Sequence, residues 1–423
     1  MSEAQHRLRP GAAAMAAADG SPAVDLGDGI WMSSGMSSSY LVTTDAERVV
    51  INTGMGFEAP FHHAGYDAVD PSPTRYVVLT QGHFDHVGGV DRFLEPGTDL
   101  IAQAAFATWR DDNERLEAFR SRNAAFAFIE PILAAMEHAR QATGEVPAQS
   151  RPTPTITFED RLDLEVGGRR LELLSVPGGE TTDSTVVWLP EERTAFTGNL
   201  FGPLFGHVPN LVTMRGDRYR DALAYCDSVD RVLALEPERI ITGHFDPIEG
   251  ADVIAQELTA MRDATRYVHD RTVEGMNAGT DVHTLMAEIA LPDELDVGEG
   301  YGLVSWNVRA IWETYAGWFH HRSTTELYAT PPSAIAPDLV AAAGADALTD
   351  AARARLAAGE PVAALHLTDV VLVVEPRHAA ALAVAAEAHQ ALLADSSNFW
   401  ETAWLQRTLD KLGRKRGDGG ATS

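Results

Sequence analysis

At 423 residues the chain is long enough for roughly two or three domains, each burying a core of its own. Its 45% hydrophobic and 22% charged residues are those of a soluble globular protein, and a formal charge of −28 sets it against nucleic acid and anionic membranes as partners. The single cysteine, Cys226, rules out an intrachain disulfide and a cysteine-built zinc site.

Residues 1–22 show no period and no apolar stretch of signal-peptide length, so they read as a disordered segment. No run of about 18 apolar residues occurs, and the expected location is the cytoplasm. From 23 to 255, short β-branched runs alternate with helical stretches, as in an α/β domain. Arg48–Asn52, Tyr76–Thr80, Leu100–Ala102, Arg170–Val176, Ser184–Leu189 and Arg239–Thr242 read as strands. One long helical stretch covers Ala104 to about Thr143, where Pro131 predicts a break or kink. Its apolar segment Ala124–Ile129 reads first as a helix–helix contact and second as the lining of a substrate cleft. After Ile254 the strand signals stop. Residues 256–412 read as all-helical with helical-repeat character, and 413–423 as a frayed polar tail. The pairs His62-His63 and His320-His321 read as solvated.

The densest chemistry lies at Val77-Val78-Leu79-Thr80-Gln81-Gly82-His83-Phe84-Asp85-His86-Val87-Gly88-Gly89. A buried strand runs straight into two imidazoles and a carboxylate within four residues. A loop at a strand's end can aim several such donors at one point, as a zinc, iron or manganese ion requires.

This loop resembles the His-x-His-x-Asp-His signature of the metallo-β-lactamase superfamily, with Gln81 in the place of the first histidine. Other elements follow in the same order: Ile51-Asn52-Thr53-Gly54, Pro177-Gly178-Gly179-Glu180, Thr194 to Phe201, and Ile241-Thr242-Gly243-His244. Glu180, in a position usually held by histidine, is similar to the alkylsulfatase branch. So are Asn210-Leu211-Val212-Thr213-Met214-Arg215-Gly216, Met261–Asp270, and Asn307-Val308-Arg309-Ala310-Ile311-Trp312 through Phe319. The resemblance implies an αββα sandwich followed by an all-α dimerisation domain, hence a homodimer acting on a small molecule. It also implies that the sterol-carrier-like domain usual in that branch is lacking, which points away from long-chain detergents.

The metal positions implied are His83, Asp85, His86, Glu180, His244, Gln81 and Asn199. Asp85, His86 and His244 form one complete two-His-one-carboxylate set. Gln81, His83 and Glu180 form a weaker set, because an amide oxygen is a poor donor beside imidazole. Asn199 stands where a bridging acid is usual and brings no charge, so one tightly held ion, Zn first and iron or manganese next, is expected rather than two. The resemblance further implies that Asp85 orients the attacking water, while Asn210 and Arg215 cradle an anionic oxygen. Trp306 replaces a histidine of the branch and cannot transfer a proton near neutral pH. With Trp312 and Trp318 it either walls a pocket or packs in a core. The expected activity is hydrolysis of an ester, lactone, thioester or sulfate ester of a small hydrophobic molecule through a metal-bound hydroxide. An iron-dependent oxidoreductase or lyase using Asp85, His86 and His244, or a degenerate scaffold with an assembly role, are the alternatives.

Overall fold

A computed structural model describes residues 3–212 and 214–417. Two mixed sheets form its centre. The first runs β1 (Val24–Asp25), β2 (Ile30–Ser33), β3 (Ser39–Thr43), β4 (Arg48–Ile51), β5 (Thr74–Val78), β6 (Asp99–Gln103) and β7 (Ile156–Phe158), in that order. The second runs β13 (Ile248–Glu249), β12 (Arg239–Thr242), β11 (Thr194–Gly198), β10 (Thr185–Leu189), β9 (Arg169–Ser175) and β8 (Arg161–Val166). Strands β4 to β7 are parallel, as are β11 and β12, and the remaining pairs are antiparallel.

Side-chain alternation along these strands builds four layers. On one face, Tyr40, Val42, Val49, Ile51, Val78 and Ile101 meet Leu171, Leu173, Val187, Phe196 and Ile241 of the opposite sheet. Their neighbours Leu41, Val50, Val77 and Leu100 point outward to Tyr66 of helix Ala59–Val69 and to Phe93 and Phe106. On the other side, Val186, Trp188 and Ile240 pack under Tyr225, Cys226 and Val229 of helix Ala222–Leu233 and under Leu258 and Met261 of helix Ala251–Asn277. Both strand faces are apolar because both are covered, and period 2 assigns each residue its layer. The structure thus has the expected αββα sandwich, followed by helices.

Of the break or kink expected at Pro131, the break is ruled out: the long helix runs over Phe106–Thr143 with Pro131 inside it. Residues 3–22 are ordered: helix Gln5–Leu8 and the single 3-10 turn Ala12–Ala14 are tied to the sandwich, with Ala12 and Ala18 buried. Met1 and Ser2 lie outside the described residues. The compact units divide at Tyr315/Ala316, and helix Ala251–Asn277 packs on the second sheet.

The second unit contains helices Ala336–Ala343, Ala345–Ala357, Pro361–Val374, Ala379–Asp395 and Phe399–Arg416. Ala352, Ala364, Val384 and Ala388 form one small core, and Leu382, Ala385, Ala386 and Leu412 another. Alanine at these contacts lets the helix axes approach closely. The last helix extends to Arg416, into the expected tail, and 418–423 lie outside the described residues. No described helix is long and apolar enough to cross a membrane.

Phe196 sits at the centre of the inter-sheet layer, 1% exposed and edge-on to Tyr40 at 5.4 Å. Phe196→Ala should cost about 3–5 kcal/mol in urea unfolding, from lost burial and the cavity left behind. The same truncation at Leu94, which is 40% exposed, should cost less than about 0.5 kcal/mol.

Candidate functional site

The donor loops leave the same end of both sheets. Beyond β5, the chain reaches His83 and the short helix Phe84–Val87, which carries Asp85 and His86. Asn199 follows β11 directly, His244 follows β12 by two residues, and Glu180 lies beyond β9. Asn52, at φ +57°, ties the end of β4 to this loop: its amide donates to Thr80 Oγ1 at 2.9 Å and accepts from Thr80 N at 2.9 Å. Asparagine tolerates that left-handed backbone better than most residues. Thr53 N donates to the His86 carbonyl at 2.8 Å, and Ser37 Oγ donates to the Asp85 carbonyl. At Gly243 a Cβ would stand 2.2 Å from Asn199 Oδ1 and 2.7 Å from His86 Cε1, so glycine there is a condition of the cluster's closeness.

Asp85, His86 and His244 each offer a ligand atom, and the three atoms lie within 4.8 Å of one another. Asp85 Oδ2 is 3.4 Å from His86 Nε2 and 3.8 Å from His244 Nε2. Burial lowers the pKa of His86, and it brings that of His244 to about 4, so both rings are neutral near pH 7. Neutral imidazole is the metal-ligating form. His86 Nε2, which faces Asp85, is buried with no hydrogen-bond partner, a deficit that a cation coordinated there would relieve. These three residues fit a metal ion of the two-His-one-carboxylate type.

The other expected donors are engaged differently. Glu180 accepts from Arg220 through both oxygens, at 2.8 and 2.9 Å. Burial pushes its carboxyl pKa up, while the guanidiniums of Arg220 and Arg215 pull it back. Arg215 Nη2 lies 3.4 Å from His83 Nε2 and 3.5 Å from Glu180 Oε2, and its Nε donates to Asp217 at 2.9 Å. An arginine can only donate, so Nε2 of His83 accepts and the ring proton rests on Nδ1. Gln81 Nε2 lies 3.2 Å from that Nδ1, donor against donor, so the amide pairs with the ring only with its otherwise unpartnered Oε1 turned toward it. Desolvation first, then Arg215, holds His83 well below its usual pKa. Asn199 Nδ2 stands 3.2 Å from His244 Nε2, close to the first cluster rather than to the second.

A cavity of about 360 Å³ opens over these groups. One end is polar, with His83, Asp85, Glu180, Asn199, Arg215 and His244; Arg120, Asp217, Trp109 and Tyr301 complete it. The other is apolar, made by Met15, Met36, Met55 and the helix residues Ala124, Ala125, Phe128, Ile129 and Ile132. The segment Ala124–Ile129 therefore lines the cleft, the second of its two readings. Asn210 is buried, but its side chain does not line the cavity; its carbonyl accepts from Arg220 at 2.6 Å. Among the described residues Trp306 and Trp312 also stay out of the wall, and Trp312 is buried in helix Val304–Ala316.

Tyr301, Arg120, Asp217 and Arg220 were not singled out in the sequence. Arg220 follows Arg215 by five residues in Arg-Gly-Asp-Arg-Tyr-Arg, a cluster of charge in an otherwise apolar region that could have marked it. Tyr301 had no such signal. Burial, then the Glu180 charge, raises its phenol pKa, keeping the hydroxyl protonated as a donor.

Comparison with known proteins fits this geometry. The metallo-beta-lactamase superfamily model matches residues 33–244, half of the chain, and the alkyl sulfatase dimerisation model matches 282–410. The chain belongs to the metallo-β-lactamase superfamily, in its alkylsulfatase-like branch. It is a hydrolase by that membership. A linear primary-alkylsulfatase of Pseudomonas sp. is 27% identical over 376 residues, covering 84% of this chain and 70% of the relative. An alkyl/aryl-sulfatase of Saccharomyces cerevisiae is 24% identical over 359 residues, 80% of this chain and 55% of its own length. An (R)-specific secondary-alkylsulfatase of Pseudomonas sp. is 29% identical over 255 residues, 58% of this chain and 38% of its own length. The last two relatives are thus much longer than the part this chain spans. The solved stereoselective inverting sec-alkylsulfatase Pisa1 from Pseudomonas sp. has the same fold, with a TM-score of 0.80, 22% identity, and coverage of 95% of this chain and 66% of its own.

The solvated reading of His62 is corrected as well. Its side chain is fully buried and its Nδ1 lies 2.7 Å from Ser33 Oγ, while His63 does pair with Asp67 at 3.0 Å. Burial lowers the pKa of His62 to about 4. A depressed folded pKa contributes stability above the unfolded value near 6.5, lost as pH falls through 4. The loss amounts to about 3 kcal/mol. In urea titrations, His62→Asn, which keeps an acceptor for Ser33, should lose that much less stability than the parent between neutral and acid pH.

Proposed function

We propose that this protein hydrolyses sulfate esters of small amphiphilic alcohols, using one divalent ion held by Asp85, His86 and His244. One observation carries the reading: a single cavity joins that cluster and the Arg215 guanidinium to a greasy channel along helix Phe106–Thr143. An anionic head and an apolar tail match those two ends. Zinc is the ion of choice for such a donor set, with iron or manganese accepted by the same ligands. When bound, it supplies Lewis-acid polarisation and lowers the pKa of water.

The chain's own residues do the rest. Asp85, half-buried beside both imidazoles, orients the attacking water. Arg215 offers a planar fork to the sulfate oxygens, and Asp217 and Glu180 fix its plane. Tyr301 presents a neutral O–H to the head group at the cavity wall. The apolar residues from Ala124 to Ile132 hold the tail and exclude water. Asn210 supports the guanidinium of Arg220 through its carbonyl and so acts behind the site rather than in it.

A single ion, not a pair, is favoured. His83 Nε2 is committed to Arg215, and Glu180 has both oxygens on Arg220. The Arg215 guanidinium occupies the space between them and supplies positive charge there. Homodimerisation through residues 282–410 and a cytoplasmic location complete the proposal.

Two measurements test it. Metal analysis of protein purified without chelator should give about one zinc per chain, with His86→Ala near zero. A stable two-metal stoichiometry would sink the single-ion reading. Turnover should be seen with short and medium alkyl sulfates and rise with tail length. It should fall by at least about 10³-fold in His86→Ala and about 10²-fold in Arg215→Gln. Equal rates on a neutral carboxylic ester would show instead that Arg215 has no role in substrate choice.

A further inference from the structure

The segment Gln5–Ala18 is fastened to the sandwich at separate points. Gln5 N donates to Glu257 Oε1 at 3.0 Å, and Arg7 Nη2 donates to Asp296 at 2.6 Å. Ala18 N donates to the buried Glu58 Oε1 at 2.9 Å, and Ala17 packs beside Met36, Met55 and Ile132. Two of its residues reach the site itself. Met15 lines the apolar half of the cavity. Arg9 lies against the loop that carries His244.

That loop is unusual in its backbone. Phe245, directly after His244, has φ +62°, a left-handed conformation disfavoured for a bulky aromatic residue. Such a conformation persists only where its surroundings over-determine it. Here Arg9 supplies the surroundings. Its Nη1 donates to the Asp246 carbonyl at 2.6 Å, and Nη2 donates to the His244 carbonyl at 3.1 Å and to Thr242 Oγ1 at 3.3 Å. The guanidinium carbon stands 5.6 Å from the Phe245 ring centroid. Thr242 Oγ1 closes the arrangement by donating to the same His244 carbonyl at 2.6 Å. Three consecutive residues around His244 are therefore held from one guanidinium, brought in by a segment more than two hundred residues away in sequence.

We infer that Arg9 is a positioning residue for the metal ligand His244, and that the N-terminal segment bearing it is a structural wall of the active site, with Met15 setting the reach of the substrate tail. Arg9 touches neither the donors nor the cavity; it acts by fixing the backbone from which the imidazole projects. The inference rests on the reading of Asp85, His86 and His244 as the ion-holding set, and its test reads metal affinity independently of turnover.

In full-length protein, Arg9→Met should weaken zinc binding about ten- to hundredfold in competition with a chromogenic chelator, the range for a lost partner behind a ligand. It should also shift the visible bands of the cobalt-loaded form, which report ligand geometry, while the melting temperature moves by only a few degrees. Arg9→Lys, with one ammonium nitrogen in place of the two guanidinium nitrogens that bond the loop, should fall between Arg9→Met and the parent. If Arg9→Met does not fold, Arg9→Lys decides. Met15→Trp should raise KM for the longer alkyl sulfates, leaving zinc affinity unchanged. Zinc affinity within about twofold of the parent and unaltered cobalt bands in the Arg9 variants would overturn the inference. A weakened affinity in a protein that turns over no sulfate ester would leave it standing and overturn the proposed substrate class instead.

Discussion

Two imidazoles and one carboxylate lie within 4.8 Å of each other at the buried end of two sheets, and burial decides what state they are in. Desolvation strips both rings of their protons, so the attraction of Asp85 for a charged histidine is not what holds them together. Unpartnered ring nitrogens at such a depth are costly without a positive centre. The surrounding structure must therefore impose the closeness from outside: Thr53 on the His86 carbonyl, Ser37 on that of Asp85, Arg9 and Thr242 on that of His244. Gly243 leaves the gap that the cluster needs. The fold's investment at this end of the sheets is in holding three donors ready for a cation.

The neighbouring half of the site solves the same charge problem in another way. Replacing an imidazole by Gln81 and an acid by Asn199 removes donors and negative charge together. What remains there, His83 and Glu180, is satisfied within the protein by Arg215 and Arg220. A buried carboxylate with one guanidinium on both oxygens is stable only as a set, since removing either partner leaves a bare charge. The same guanidiniums connect outward through Asp217 to Arg120, which lies 3.1 Å from it and 5.2 Å from the Trp109 ring. The network thus runs from Glu180 and His83 through Asp217 to Arg120 and Trp109 in the wall of the cavity.

How much of this could be read in the sequence depended on how local its cause was. The αββα layers follow from period-2 alternation in strands covered on both faces, and Arg48–Ile51, Arg169–Ser175 and Thr185–Leu189 fall where their β-branched runs place them. His83, Asp85 and His86 were legible because one loop carries them, and His244 because its own glycine-flanked strand end resembles a known element. The ordering of residues 3–22 was not legible. Its polar, alanine-rich composition predicts no structure, and long-range bonds from Gln5, Arg7, Arg9 and Ala18 fasten it. His62 reads as an exposed member of a histidine pair, yet a helix turns adjacent residues to different sides, and it alone faces the core. The cavity's apolar wall was ambiguous for a similar reason: an apolar stretch on a helix looks the same whether it meets another helix or an open cleft. Tyr301 entered the site through tertiary packing alone.

The charge of −28 and a proposed anionic substrate are reconciled by the same packing. A diffuse negative surface field is screened within about 10 Å at ordinary ionic strength, whereas charges in a buried pocket are screened far less. Around that pocket three guanidiniums, those of Arg120, Arg215 and Arg220, are balanced by three carboxylates, Glu180, Asp217 and Asp85. The divalent ion we propose beside Asp85 would add positive charge there, and the local field would then favour an anion even though the protein as a whole repels one. This separation has a consequence for selectivity: an anionic head gains only by reaching the pocket, and it reaches it only if its tail fits along Met15, Phe128 and Ile132. Shape and charge must then be satisfied together, which is the form of recognition that an amphiphile, and not a simple inorganic anion, can meet.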